Sequence, residues 1–342
     1  MSRYTASFQY YPLKFKKPAG TSRGILYEKP SWLLTIRDNE LGMEGIGEVS
    51  IIPGLSVDPE DEIEATLVEL CLQIESAGDL ESISVNTERL PSIKFGLETA
   101  IFDLYGGGKR ILFDNAFSRG EKGIPINGLV WMEGVENMFH QAKEKIEQGY
   151  SCIKLKVGAL DFEAEYSLLQ RIRDELSDTI EIRLDANGGF EVADALTKLA
   201  RLSKIRIHSI EQPIKPLQWE VMETLCKQSP IPIALDEELI GVWSRSRKIK
   251  LLDTILPQYI ILKPSLLGGF AAADEWISLA EERDIKWWAT SALESNIGLN
   301  AIAQWVWQKD TDLPQGLGTG GLYLENYPLP LEIKMGQLLF NA

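Results

Sequence analysis

The chain has 342 residues, with 50 acidic against 35 basic side chains and a formal net charge of −15. Such a surplus argues against a nucleic-acid backbone or an anionic membrane as partner. No apolar run nears the ~20 residues of a membrane span, and the first ten residues, with Arg3, Tyr4, Gln9 and Tyr10, lack the apolar core of a secretory signal, so a cytoplasmic location is expected.

Cys71, Cys152 and Cys226 are an odd number without CxxC spacing, which supports neither a disulfide framework nor a zinc site. From 7 to 55 the pattern is strand-like, with Phe8, Tyr10, Leu13 and Phe15, then 31–36, then 43–52, and turn signals at Asp38-Asn39 and Pro53-Gly54. An antiparallel meander is expected. Between its first two strands, 18–24 reads as a loop able to close over a pocket, which makes Arg23 a candidate substrate contact. Helical spacing follows at 61–77 and 92–105. Gly106-Gly107-Gly108 stops the second helix and marks a boundary. An α+β capping domain is therefore expected over 1–106, completed by 323–342, with a second domain over 107–322.

Residues 124–131 read as a first barrel strand and 135–148 as its helix. Then come short apolar runs that each end in a polar group: Cys152-Ile153-Lys154-Leu155-Lys156, Ile182-Arg183-Leu184-Asp185, Ser209-Ile210-Glu211, Ile233-Ala234-Leu235-Asp236, and Ile260-Ile261-Leu262-Lys263. Asp185, Glu211, Asp236 and Lys263 recur at intervals of about 25 to 27 residues, the length of one strand, one helix and two short loops. Helical stretches at 162–176, 192–202, 219–228, 244–253 and 270–283 fill those intervals, with a seventh strand at 286–289 and a last one near 316–322. The expected fold is a TIM-like (β/α)7β barrel with an α+β N-terminal capping domain.

In such a barrel the strand C-terminal ends share one mouth, which gathers three carboxylates and three lysines, and alternation puts Lys154 and Lys156 on one face. Clustered carboxylates need a compensating cation, and three oxygens plus waters suit an octahedral divalent ion such as magnesium. His140 lies in the first helix, and His208 falls three residues before Glu211, below the mouth, so acid–base work is left to the lysines. The polar loop 290–299, with Ser291, Glu294 and Ser295, leads into a helix whose N-terminus suits an anion. Gly318 and Thr319, in a glycine-rich stretch, would let the backbone approach a ligand closely.

These residues resemble the enolase superfamily, in its muconate cycloisomerase subgroup. The resemblance rests on Lys154-Leu155-Lys156, Leu184-Asp185-Ala186-Asn187, Ile210-Glu211-Gln212-Pro213, Asp236-Glu237 and Leu262-Lys263-Pro264, and on Gly47-Glu48-Val49 in the cap. It implies that Asp185, Glu211 and Asp236 hold magnesium, for which manganese can substitute. It also implies that Lys156 removes the proton α to a carboxylate, with Lys154 beside it and Lys263 on the opposite face. The stretches 126–132 and 291–299 look most like the o-succinylbenzoate synthases. That likeness implies syn-dehydration of 2-succinyl-6-hydroxy-2,4-cyclohexadiene-1-carboxylate in menaquinone biosynthesis. Dipeptide epimerases and N-acylamino acid racemases of the same superfamily are the alternative. An epimerase is expected to carry Asp-x-Asp at the eighth strand, where this chain has Gly318-Thr319-Gly320-Gly321. The expected partner is a small-molecule carboxylate, with assembly into a homo-oligomer left open.

Overall fold

The structure, a computed structural model, describes residues 2–21, 24–86 and 88–341. The chain opens with β1 (Tyr4–Tyr10), β2 (Leu13–Thr21), β3 (Gly24–Lys29), β4 (Ser31–Asp38) and β5 (Met43–Ser50). β4 lies between β1 and β5 in an antiparallel sheet, while β2 and β3 pair as a separate hairpin. Part of the expected lid loop is thus strand: β2 continues through Pro18 to Thr21, with its register shifted between Lys14 and Ala19 where a proline can be accommodated. Arg23 lies outside the described residues.

Two helices, α1 (Ile63–Ser76) and α2 (Pro91–Tyr105), follow the sheet. Trp32, Leu34 and Ile36 of β4 share a core with Leu67 and Leu97 of these helices. Gly47 permits the closest approach, because a Cβ there would stand 1.8 Å from the Gly96 carbonyl oxygen of α2. Asp58 caps α2 from outside, its Oδ1 accepting from the Ser92 amide and hydroxyl. The glycine run stops α2 as expected, but its backbone then turns back and is packed. Gly107 and Gly108 take positive φ, and a Cβ on Gly108 would meet the Glu44 carbonyl.

The rest is built from βα units: β6 (Ile124–Pro125), β7 (Gly128–Val130), α3 (Val135–Glu147), β8 (Cys152–Lys156), α4 (Phe162–Arg171), β9 (Glu181–Asp185), α5 (Val192–Leu202), β10 (Ser209–Glu211), α6 (Trp219–Gln228), β11 (Ile233–Leu235), α7 (Arg245–Ile255), β12 (Tyr259–Leu262), α8 (Pro264–Leu267), α9 (Phe270–Glu281), β13 (Lys286–Ala289) and α10 (Asn296–Trp307). β7 to β13 form a parallel sheet in sequence order. An eighth segment closes it, since Gln315 pairs with Ile126 and Gly316 with Thr290, both parallel. The expected first strand is thereby divided, with β6 leaving the barrel for another pairing.

The tail, expected to return to the cap, makes contacts on both sides. Phe15 pairs with Tyr323, so the start of the tail does meet the cap hairpin. The last strands, β14 (Leu331–Lys334) and β15 (Gln337–Phe340), instead form a sheet with β6. Leu338 and Phe340 are buried in the barrel's own hydrophobic cluster, and their burial there anchors the tail.

Candidate active site

Parallel register sets the height of the polar groups. Lys156 is level with Asp185, and Asp185 with Glu211, while Asp236 and Lys263 directly follow β11 and β12. Each lies two residues beyond an inward-facing apolar side chain, since Ala234 and Ile261 pack with Trp288 inside the barrel. β8 and β12 are the second and sixth strands around the ring, so Lys156 and Lys263 face each other across the mouth.

The ammonium groups are interleaved with the acids. Lys154 Nζ donates to Asp185 Oδ2 at 3.1 Å and to Glu211 Oε2 at 2.9 Å. Lys156 Nζ donates to the same Asp185 Oδ2 at 2.6 Å and to Asn187 Oδ1 at 2.8 Å, and Lys263 donates to Asp236. Asn187 in turn donates to Glu237 at 2.9 Å. Burial opposes the charge on Lys154, but Glu211 and Asp185 outweigh it and hold its pKa above the ordinary value. Lys263 is raised in the same way, burial being overcome by Asp236 and Glu211. Burial likewise opposes ionisation of Asp185, yet Lys156 and Lys154 keep it well below the usual carboxylate range. Glu211 goes the other way: burial and the neighbouring Asp185 push it well up.

A cavity above this cluster is lined by Lys154, Lys156, Asn187 and Lys263, by Thr290, Ser291, Gly318 and Thr319, and by an apolar wall that includes Leu26 of the hairpin, Leu129, Trp131 and Leu293. Of the expected substrate contacts, Ser291, Gly318 and Thr319 line it. Glu294 and Ser295 do not; both are fully buried. Glu294 accepts from Ser265 Oγ and Ser291 Oγ, and Ser295 Oγ donates to Glu48 Oε2 at 2.5 Å. The anion expected at the N-terminus of α10 is the chain's own Glu48, which also accepts from the Gly298 amide at 3.0 Å. Asn187, Asn127 and Thr290 line the cavity too although they were not among the expected contacts, and Asn127 and Thr290 each carry a buried side-chain oxygen without a partner among the described residues. Alternation pointed at Asn187, which stands two residues after Asp185. His208 sits at the other end of the barrel, against Ser209 Oγ, Glu181 and Tyr259.

Among the described residues no three acidic, histidine or cysteine side chains stand close enough to enclose an ion unaided. The donor set nonetheless fits a hard divalent ion. Asp185, Glu211 and Asp236 offer only oxygens from three adjacent strand ends, and with Glu237 they outnumber the lysines, a surplus felt in the raised Glu211.

A family model described as enolase C-terminal domain-like matches residues 137–323. The chain belongs to the enolase superfamily. Within it, the chain is 48% identical to an o-succinylbenzoate synthase of Desulfotalea psychrophila, with 99% of each chain covered. Its fold superposes on the crystal structure of MenC from Desulfotalea psychrophila LSv54 with a TM-score of 0.89 and 43% identity, over 98% of this chain and 99% of that one. It also shares the superfamily fold with a dipeptide epimerase from Enterococcus faecalis V583, solved with Mg and the dipeptide L-Leu-L-Tyr. That match has a TM-score of 0.85 and 20% identity, over 100% of this chain and 98% of that one.

Proposed function

We propose that the protein is a divalent-metal-dependent dehydratase converting 2-succinyl-6-hydroxy-2,4-cyclohexadiene-1-carboxylate to o-succinylbenzoate, a cytoplasmic step of menaquinone biosynthesis. The observation that carries this reading is the cavity's lining: among the described residues, three lysines and not one aspartate or glutamate. Such a wall suits an acid with several carboxylates and offers no counter-ion to the ammonium of a dipeptide, which speaks against the epimerase alternative. The 48% identity to an o-succinylbenzoate synthase supports it.

Asp185, Glu211 and Asp236 would hold the metal, magnesium by preference. Bound there, it would act as a Lewis acid on the substrate carboxylate while the α proton leaves. Lys156 Nζ, held by Asp185 and Asn187, takes that proton. Lys263, kept cationic by Asp236 and facing from the opposite strand, offsets the negative charge that develops. The C–O bond then breaks, the proton on Lys156 passes to the departing hydroxyl as water forms, and the ring becomes aromatic. One lysine on one face thus handles both transfers, which requires syn geometry. Trp131, Leu129 and Leu26 exclude water from the ring.

Absorbance of the cyclohexadiene acid, followed with purified protein and magnesium beside an EDTA control, tests the proposal. Metal-dependent loss of the diene signal is expected; an unchanged signal refutes it.

A further inference from the structure

Beside the cavity lies a buried group of charges that the proposed chemistry does not use. Lys29, the last residue of β3, is fully buried, and its ammonium has no hydrogen-bond partner among the described residues. Glu48 of β5 and Glu294 of the loop after β13, both fully buried, meet at Gly298, where a Cβ would stand 3.0 Å from Glu48 Oε2 and 2.7 Å from Glu294 Cγ. Ser31, two residues after Lys29, reaches Glu48, and both acids act on the Lys29 ammonium. Glu48 accepts from Ser31 Oγ, from the Ser295 amide and hydroxyl, and from the Gly298 amide. Glu294 accepts from Ser265 Oγ at 2.5 Å and Ser291 Oγ at 2.6 Å. Ser265 stands two residues after Lys263, and Ser291 lines the cavity and accepts from Thr319 Oγ1 at 2.9 Å. Cap, sixth-strand loop and cavity wall therefore converge on two carboxylates.

Two carboxylates buried near each other repel unless a cation stands with them. Burial holds the pKa of Lys29 below its ordinary value, and Glu48 and Glu294 offset only part of that. Tyr323 also feels both acids, but burial pushes its phenol well up, so it stays neutral and donates to the Leu293 carbonyl. We propose that Lys29 is a positioning residue. Its charge holds Glu48 of the cap beside Glu294 of the barrel, and so seats the 291–295 loop that forms one wall of the cavity. Four serines and a helix N-terminus orient the acids, and Lys29 lets them share one dry space.

The kinetic arm of the test rests on the dehydratase reading; the stability arm does not. Lys29→Met leaves the two carboxylates facing each other, so KM for the diene acid rises at least about tenfold while kcat, set by lysines on the barrel strands, changes less than about threefold. Adding Glu294→Gln removes one of the charges, and KM and Tm of the double variant return towards those of Glu294→Gln alone, the signature of coupled charges in a double-mutant cycle. If Lys29→Met fails to fold, the double variant still folds. An unchanged KM in Lys29→Met, or a double variant as impaired as Lys29→Met in both KM and Tm, overturns the proposal. A wild type inactive on the diene acid refutes the dehydratase reading instead, and the Tm cycle then decides on Lys29 by itself.

Discussion

Lys156 and Lys263 occupy different electrostatic positions although both touch a carboxylate. Lys263 donates to Asp236 beneath the cavity and is held cationic by it, while Lys156 lies between Asp185 and the neutral Asn187. The proposed division makes Lys156 the base and Lys263 the fixed cation. Lys156→Ala and Lys263→Ala should each lower kcat by at least about 10³-fold with unchanged far-UV circular dichroism, the scale of a lost acid–base group; turnover within tenfold of wild type in either would exclude the assigned role. Asp236→Asn should raise the magnesium concentration for half-saturation at least about tenfold, and an unchanged titration would remove it as a ligand. At this scale the lysine pair and the three acids were legible, because strand alternation and a regular interval act along the chain. Glu294 and Ser295, expected as substrate contacts, lie off the cavity wall because they bind partners, Ser265 and Glu48, that are far away in sequence, and local pattern carries no trace of those partners.

Elements meet here through their ends. The N-terminus of α10 takes Glu48 from the cap, and the N-terminus of α2 takes Asp58 from the loop after β5. Burial raises Asp58 from 3.8 to about 6, only partly offset by its bonds to Ser92. Its folded pKa lies above its unfolded one, so the folded state binds more protons between these values. The stability it contributes is fully present below about pH 4 and is lost as pH rises through about 6, a difference of about 3 kcal/mol at most. Asp58→Asn keeps an acceptor for Ser92 without the charge. It should raise Tm by a few degrees at pH 8 and have its smallest effect near pH 4; a variant less stable than wild type at pH 8 would contradict this. Most helices and strands were legible from apolar spacing. Part of the expected lid loop proved to be strand, since Pro18 and Gly20 read as loop while cross-strand pairing overrides that signal.

The whole molecule places a hairpin, through Leu26, and a capping sheet over a barrel mouth filled with alternating charge. The barrel could be foreseen from its βα rhythm, with a last strand expected near 316–322 where Gln315 and Gly316 close the ring, yet the pairing of the tail with β6 could not. Those contacts join segments far apart in sequence, and the glycines around them have no hydrophobic signature. The cavity that results presents three lysine ammonium groups over their paired carboxylates and an apolar wall, within a chain of net charge −15, so the proposed preference for an anionic acid would be a local property of the site. The most direct measurement is kcat/KM for the cyclohexadiene acid and for an L,L-dipeptide, on one preparation with saturating magnesium. A cavity without an acid on its wall predicts a preference for the cyclohexadiene acid of at least about 10³-fold. Equal values, or a preference for the dipeptide, would contradict the proposed dehydration and return the site to epimerisation.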